Sequence, residues 1–233
     1  MNRTALRVQS LFLVFLAALS ATQAEAPQVL FYVPFEQTTR GLSRNIIHED
    51  IYRPRGAAQP IKIQYEKGII GNGALLSWDG GYPGICYPNR GNINPKKGTI
   101  SLWLKWTRPI FINRYYPNIW VCLSKEGTAS PVALVGLEDK RLASTSEDQK
   151  WHHFVYTWDI ESEARHQYLD GKLLASGSIT APVYPKLLVF GFRLPGALDE
   201  LVILDRSLSS DETLKAFKDY KSGRAPFAIQ PSK

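Results

Sequence analysis

Two neighbouring acids, Asp199 and Glu200, begin the apolar stretch 201–204 and are the first candidates for chemistry in this sequence. A retaining glycosidase uses two carboxyl groups about 5–5.5 Å apart, one as the acid and one as the nucleophile. Consecutive residues of a strand point to opposite faces, so this pair is not expected to meet across a substrate. Glu161 and Glu163 alternate, but they lie in a polar turn. We therefore predict no catalytic carboxylate pair and no enzyme activity.

His152 and His153 are the second candidates, because imidazole is a common zinc ligand. Adjacent strand residues face opposite ways, so the two rings are not expected to share one ion. The sequence also carries no Cys-x-x-Cys pair, phosphate-binding glycine loop, dinucleotide fingerprint or nucleophile elbow. These motifs therefore give no catalytic or transition-metal site.

Two clusters of aromatic and basic residues have the composition of sugar-binding sites, where an aromatic plane lies beside polar groups. One surrounds the double-glycine turn 79–81, and the other lies in the long loop 108–118. Long loops carry function more often than short ones. The alternative is that these side chains only cover the ends of the folded domain. The predicted ligand-binding residues are Trp78, Tyr82 and Arg90 in the first cluster, and Arg114, Tyr115 and Tyr116 in the second.

Short alternating segments separated by turns dominate the chain. In the stretch 98–106, four apolar side chains fall on one face, namely Ile100, Leu102, Leu104 and Trp106. Only the segment Asp211–Tyr220 has a helical pattern, with Ser209 or Ser210 as its cap. About a dozen short strands and one short C-terminal helix predict an all-β, two-sheet antiparallel sandwich.

Five segments carry a more specific signal when they are taken together. They are GIIGNGALLSWDGGY (68–82), GTISLWLKW (98–106), KWHHFVYTWD (150–159), HQYLDGKLLASG (166–177) and GALDELVILDRSLSSDETLKAF (196–217). Their order and spacing resemble the laminin-G-like jelly roll of the concanavalin A-like lectin/glucanase superfamily. The resemblance implies one jelly-roll domain over residues 27–222, followed by a tail at 223–233. It leaves function open, since this fold hosts lectins, adhesion modules, accessory domains and glycosidases.

The resemblance also implies a structural calcium site. In this superfamily an Asp at the start of the closing strand often meets the loop after the first strand, and the matching positions are Asp199 and Glu36. The family more often has Asp where Glu36 stands. The alternative is that Asp199 accepts backbone N–H groups and pins the two ends of the domain together.

The N-terminus has the pattern of a signal peptide. Arg3 and Arg7 precede the apolar run 11–19, and Thr22-Gln23-Ala24 predicts cleavage after residue 24. Ala24-Glu25-Ala26 also fits a cleavage site, but Pro27 would then follow the cut directly. The alternative, a membrane anchor, requires a longer apolar run to cross about 30 Å of hydrocarbon. We therefore predict residues 1–24 as a signal peptide and a secreted or periplasmic chain without membrane insertion.

Charge and cysteine content fit an exported protein. Without the signal peptide, 26 basic and 21 acidic residues remain, a mild net charge of +5 without a dense basic run. This distribution argues against nucleic acid as the partner and leaves attraction to acidic polymers open. Cys86 and Cys122 are expected to form a disulfide in an oxidising compartment, the alternative being two buried thiols.

We therefore expect an exported, non-catalytic binding module whose ligand is a glycan or an extracellular polymer. The alternative is a structural or adhesion module that recognises protein, and a glycoside hydrolase is the least favoured class.

Overall fold

The computed structural model describes residues 25–43, 46–48, 63–76, 84–88, 91–106, 119–124, 132–133, 149–180, 187–192 and 196–227. Within these ranges the chain forms antiparallel strands and a C-terminal helix. The strands are β1 (Val29–Val33), β2 (Gly41–Ser43), β3 (Ile46–His48), β4 (Ile63–Lys67), β5 (Asn72–Leu76), β6 (Gly84–Pro88), β7 (Lys97–Trp106), β8 (Ile119–Ser124), β9 (Val132–Ala133), β10 (His152–Asp159), β11 (Ala164–Leu169), β12 (Lys172–Ser178), β13 (Leu187–Phe192) and β14 (Gly196–Leu204). The helix is α1 (Ser210–Lys221).

The strands make two sheets. The large sheet has the order β12-β11-β10-β7-β14-β1-β2-β3, with β4 and β5 attached to β14 through β5. The small sheet has the order β6-β13-β8-β9. Buried side chains from both sheets form one core, which includes Phe31 and Ile203 of the large sheet and Ile85 and Tyr87 of the small one. The predicted all-β sandwich with one short C-terminal helix is confirmed.

Strand β7 shows how the sequence pattern becomes a layer of the core. Ile100, Leu102 and Leu104 belong to the core between the sheets, as their alternation predicts. Ser101 and Trp103 on the other face are equally buried, with 0% exposure. They are buried because helix α1 covers this outer face, where the Trp103 ring stacks on Phe217 at 5.8 Å between ring centroids.

Helix α1 begins at a complete capping box. The Ser209 side chain accepts a hydrogen bond from the Glu212 backbone N–H at 3.2 Å, and the Glu212 carboxylate accepts one from the Ser209 N–H at 2.9 Å. Arg206 also binds both oxygens of Glu212. The Arg206 hydrogen bond is the main reason that the pKa of Glu212 falls to about 2. A cap of this kind stabilises a helix by about 1 kcal/mol.

No helix in the described ranges is long and apolar enough to cross a membrane.

Candidate functional site

Strand β14 contains a β-bulge at its two acids. Asp199 pairs with Trp103 of β7, but the next paired residue, Val202, is opposite Ser101, so β14 has one extra residue here. Glu200 takes up the extra residue with a left-handed φ of 50°, which is rare for a side chain other than glycine. The bulge also marks the point where the outer neighbour of β14 changes from β5 to β1.

The bulge breaks the alternation on which the sequence argument about these acids depended. Leu198 and Leu201 both belong to the core between the sheets, so the two acids lie between two inward-facing residues. The Glu200 carboxylate binds Tyr32, which packs in a separate cluster on the outer side of the sheet. The prediction that Asp199 and Glu200 point to opposite faces is therefore wrong, because it assumed a regular strand. Both side chains are buried, with 0% and 1% exposure.

Asp199 ties the closing strand to the turn between β4 and β5. Its Oδ2 accepts hydrogen bonds from the backbone N–H groups of Ile69 (2.7 Å) and Ile70 (3.3 Å). Its Oδ1 accepts one from its neighbour Glu200 at 2.9 Å. Burial and the nearby Glu200 carboxylate raise the pKa of Asp199 to about 8, against the opposing effect of these N–H groups. Asp199 therefore acts as a hydrogen-bonded clasp between elements that are 130 residues apart in the chain.

Glu36 makes a parallel contact with the same turn. Its Oε2 accepts hydrogen bonds from the backbone N–H (3.1 Å) and the side-chain amide (3.0 Å) of Asn72. Gly71 has a left-handed φ of 56°, and any Cβ on it would collide with the Glu36 carboxylate. The left-handed φ therefore favours glycine at this position, and a larger residue would also have to displace the Glu36 carboxylate.

Glu200 is held between two tyrosines. Its Oε1 accepts a hydrogen bond from the Tyr32 hydroxyl at 2.9 Å, and Tyr220 of helix α1 approaches the same carboxylate. Within the described residues, Glu200 Oε2 and the Tyr220 hydroxyl make no hydrogen bond of good geometry. Burial raises the pKa of Glu200 to about 7 and raises the pKa of Tyr220 well above its usual range.

The predicted calcium ligands are brought to one turn, but their lone pairs face N–H donors. A calcium ion takes about six to eight oxygen ligands, whereas the oxygens of Asp199 and Glu36 accept the hydrogen bonds described above. Among the described residues, no group of three or more His, Cys, Asp or Glu side chains is arranged to hold a metal ion. The N–H donors on these oxygens match the alternative, in which Asp199 accepts backbone N–H groups. Calcium binding stays a prediction.

The two histidines have separate partners. His153 Nε2 lies 2.8 Å from Ser101 Oγ, and its ring stacks on Trp103 at 5.0 Å between centroids. Burial lowers the pKa of His153 to about 3, so the ring is neutral at physiological pH. His152 Nδ1 lies 2.7 Å from Asp170 Oδ2. The Ser101–His153 pair has no exposed surface, so a substrate cannot reach it as it reaches a serine nucleophile.

Comparison with known protein families identifies the superfamily of this chain. A laminin-G-type family model, described as "Concanavalin A-like lectin/glucanases superfamily", matches residues 79–213, more than half of the chain. The chain belongs to this superfamily. A comparison with curated protein sequences gives no match.

Two of the solved structures with a similar fold contain a bound sugar. Domain 4 of AbnA, an extracellular GH43 arabinanase from Geobacillus stearothermophilus in complex with arabinotriose, has a TM-score of 0.62 and 17% identity, with 82% of this chain and 98% of that chain covered. The binding domain of Paraclostridial Mosquitocidal Protein 1 has a TM-score of 0.56 and 15% identity, with 83% of this chain and 52% of that chain covered. The ligand-binding domain of botulinum neurotoxin serotype D in complex with N-acetylneuraminic acid has a TM-score of 0.53 and 14% identity, with 82% of this chain and 50% of that chain covered. This chain thus spans about half the length of the two toxin domains, and these likenesses show the fold.

The predicted ligand-binding residues of this concanavalin A-like domain stay predictions. Trp78, Tyr82, Arg90, Arg114, Tyr115 and Tyr116 all lie outside the described residues. The signal peptide, 1–24, lies outside them as well.

The two cysteines lie on strands that flank the same neighbour. Cys86 of β6 and Cys122 of β8 both pair with Val189 of β13. Two strand spacings separate their backbones by about 9–10 Å, whereas a disulfide joins Cα atoms less than about 7 Å apart. The disulfide stays a prediction, and this register does not favour it.

Several residues of the β14 site carry no recognisable signal in the sequence. Tyr32 sits in an ordinary apolar run, and Tyr220 lies near the end of a helix. The three glycines of the turn 68–73 do predict a tight turn, but they do not indicate that two carboxylates bind it.

Proposed function

We propose that this chain is an exported, non-catalytic binding module that recognises a glycan. The correspondence that carries the proposal is with the arabinanase domain solved with arabinotriose, because the match extends over 98% of that domain. A second similar structure was solved with N-acetylneuraminic acid. At 17% and 14% identity these likenesses are not evidence for a particular sugar, so the ligand class is proposed no more finely than glycan.

The buried acids support a binding role over hydrolysis. Asp199 and Glu200 are the two acids that begin the closing strand, and neither is exposed by more than 1%. A glycosidase acid must reach the scissile bond, and its nucleophile must reach the anomeric carbon. These two carboxylates instead bind Tyr32 and the backbone of the β4–β5 turn.

The proposed binding residues are the two aromatic clusters with their arginines. They are Trp78, Tyr82 and Arg90 around the double-glycine turn, and Arg114, Tyr115 and Tyr116 in the long loop. Aromatic planes offer stacking surface, and arginine offers several hydrogen-bond donors to ring hydroxyls or carboxylates. The proposed domain covers residues 27–222, with 223–233 as a tail.

Export follows from the proposed signal peptide, and the hydrogen bonds that hold residues 25 and 28 lie after its proposed end. Arg206 Nε donates a hydrogen bond to the Glu25 carbonyl oxygen at 2.9 Å. Gln28 exchanges two hydrogen bonds with Asp205, at 2.8 Å and 3.0 Å. A chain cleaved after residue 24 keeps all of these contacts.

A glycan array probed with the chain from residue 25 onward tests the proposal. We expect retention of a defined glycan class, and loss of that retention when Tyr115 and Tyr116 are both changed to Ala. Trp158→Phe serves as the control, because Trp158 is fully buried in the core and an aromatic replacement leaves the surface unchanged. A second variant changes Trp78 and Tyr82 to Ala. If glycan retention survives in both double variants, neither cluster is the binding site.

A protein ligand is the second candidate. The receptor-binding domain of botulinum neurotoxin D and the mosquitocidal binding domain share the fold at TM-scores of 0.53 and 0.56. If the array gives no signal and a defined protein receptor is retained by the same aromatic surface, the adhesion function replaces the glycan function.

Calcium is proposed only as a structural ion at Glu36 and Asp199. Bound calcium stabilises the folded state by mass action, so the melting temperature rises with the logarithm of the calcium concentration once that concentration exceeds the dissociation constant. We expect a rise of several degrees on adding millimolar calcium to chelator-treated protein if the site exists, and no rise in Asp199→Asn. An unchanged melting temperature in the wild type would leave the N–H clasp as the function of this pair.

A further inference from the structure

The exposed side of helix α1 changes sign along its length. Its first turn carries the acids Asp211 and Glu212, whereas its last turn carries Lys218 and Lys221. From residue 215 to the end of the described C-terminal segment, every exposed charged side chain is basic. The mild net charge of the chain is therefore not evenly spread.

The β11–β12 turn packs beside the helix but adds no cation to its exposed side. A Cβ built on Gly171 of this turn would lie 2.9 Å from Leu214 Cδ1 and 3.3 Å from Phe217 Cβ, so the turn packs against the middle of α1. Lys172 pairs with Leu169, which packs against the core between the sheets, so Lys172 lies on the side of the large sheet away from α1. We name the surface made by Lys215, Lys218, Lys221 and Arg224 the helix basic face.

A largely buried acid organises part of this face. Asp219 is 8% exposed, and its Oδ2 and Oδ1 accept hydrogen bonds from Lys215 Nζ (2.7 Å) and Arg224 Nη2 (2.6 Å). The Lys215 hydrogen bond is the main reason that the pKa of Asp219 is lowered. The two cationic side chains remain 76% and 74% exposed. Asp219 thus holds two cations in place at the surface, which lowers the entropic cost of binding an anion there, and the three groups together keep a net charge of +1.

The helix dipole explains only part of this arrangement. Cations near a helix C-terminus are stabilising, which accounts for Lys218 and Lys221. It does not account for Arg224, which follows the helix and donates to Asp219.

We propose that the helix basic face binds an anionic polysaccharide. The inference rests on the proposed glycan function and adds the charge of the ligand. The apolar side of α1, which includes Ala216 and Tyr220, is buried against the sheet, so the helix has no apolar face to insert into a membrane. Phe217 stacks on Trp103 beneath the helix and does not extend outward as a platform for nucleic-acid bases. What the face offers is four cations, two of which Asp219 holds in place.

Affinity electrophoresis through gels that contain polygalacturonate or heparin tests this proposal. The variant K218Q/K221Q removes two cations from the face and keeps good helix formers. The control K96Q/K97Q removes the same charge at two exposed lysines near Thr99. Thr99 lies close to the start of the helix, because its Oγ1 accepts from the Leu208 N–H, so the control sits at the opposite end of the helix from the tested face. At about 50 mM salt, where screening is weak, we expect at least about tenfold weaker retention for K218Q/K221Q and less than about twofold change for the control. Circular dichroism confirms that both variants are folded.

The remaining outcomes separate this inference from the proposed function. Equal losses in the two variants would mean a response to net charge alone and would overturn the inference. So would no retention of the wild type, or equally strong binding to phosphatidylserine vesicles or DNA. Anionic retention that depends on Lys218 and Lys221, without any effect of the Tyr115 and Tyr116 substitutions on any glycan, would support this face and remove the aromatic loop. If the chain binds neutral glycans equally well in K218Q/K221Q and no anionic polysaccharide is retained, the proposed glycan function stands and the helix basic face is not a binding site.

Discussion

The two faces of β7 are buried to the same extent by different physical means. Ile100, Leu102 and Leu104 face the small sheet and are at most 1% exposed. Thr99, Ser101 and Trp103 face helix α1 and are fully buried. The inner face is stabilised by apolar area, which is not directional. The outer face needs specific partners for its polar groups, because an unpaired buried polar group costs about 1–3 kcal/mol.

The outer face meets that need only in part. Thr99 Oγ1 donates to the Arg206 carbonyl oxygen (2.7 Å) and accepts from the Leu208 N–H (3.0 Å), which fixes the start of the helix. Within the described residues, Trp103 Nε1, His153 Nδ1 and Glu200 Oε2 make no hydrogen bond. The inner face therefore carries most of the stability, whereas the outer face determines where the helix sits and how the fold responds to pH.

The largest expected effect is on the inner face. Leu102→Ala should lower the free energy of unfolding by about 2–5 kcal/mol, because it leaves a cavity between the sheets. Ser101→Ala, its neighbour on the outer face, should cost about 1–2 kcal/mol by leaving His153 Nε2 without its partner. Urea unfolding of the two variants checks the difference. A cost for Ser101→Ala that equals or exceeds that of Leu102→Ala would contradict the division between the faces.

The acids on the outer side should make stability depend on pH. Burial raises the pKa of Asp199 to about 8 and of Glu200 to about 7, from ordinary values of 3.8 and 4.5. The folded chain therefore keeps these protons to higher pH than the unfolded chain does. Their contribution to stability is complete below about pH 4 and is lost as the pH rises through 7–8. We expect a fall of about 2–4 kcal/mol between pH 5 and pH 8 from these groups.

The matched variant for this pH effect is Glu200→Gln. Its amide keeps an acceptor for Tyr32 and gains a donor for Tyr220, but it does not titrate. Urea unfolding across pH 4–9 should show a clearly smaller fall for the variant than for the wild type. Identical pH profiles would mean that Glu200 is ionised throughout and that its burial does not shift its pKa.

A smaller effect separates the two tyrosines around Glu200. Tyr32→Phe removes the hydroxyl that donates to Glu200 Oε1, so it should cost about 1–2 kcal/mol. Tyr220→Phe removes a hydroxyl without a good hydrogen bond in the described structure, so it should change stability by less than about 0.5 kcal/mol. Thermal unfolding of both variants at pH 5 decides the point. The opposite order would show that Tyr220 is the true partner of Glu200.

The inner face could be predicted from the sequence, whereas the outer face could not. A period of two over 98–106 is enough to put Leu102 in the core, and Ser209 with Glu212 is enough to cap the helix. The burial of Trp103 depends on Phe217, which is more than a hundred residues away and has no local signal. Tertiary packing of this kind overrides the alternation that a half-exposed strand would have.

The bulge at Glu200 explains why the acidic site was only partly predicted. The resemblance implied that Asp199 meets the loop that carries Glu36, and it did not indicate that each acid binds the turn 68–72. A left-handed φ at a glutamate leaves no mark in the sequence, so the alternation argument failed at this residue. The strand switch from β5 to β1 beside it is a property of the whole sheet.

Direct titration of the chain from residue 25 onward with the glycan class selected on the array tests the central claim. We expect saturable binding to the wild type that is lost in Tyr115→Ala/Tyr116→Ala or in Trp78→Ala/Tyr82→Ala, with the melting temperature unchanged. Saturable binding that neither substitution weakens, or no binding of any glycan by a folded chain, would contradict the proposal that this concanavalin A-like domain recognises a glycan through its aromatic loops.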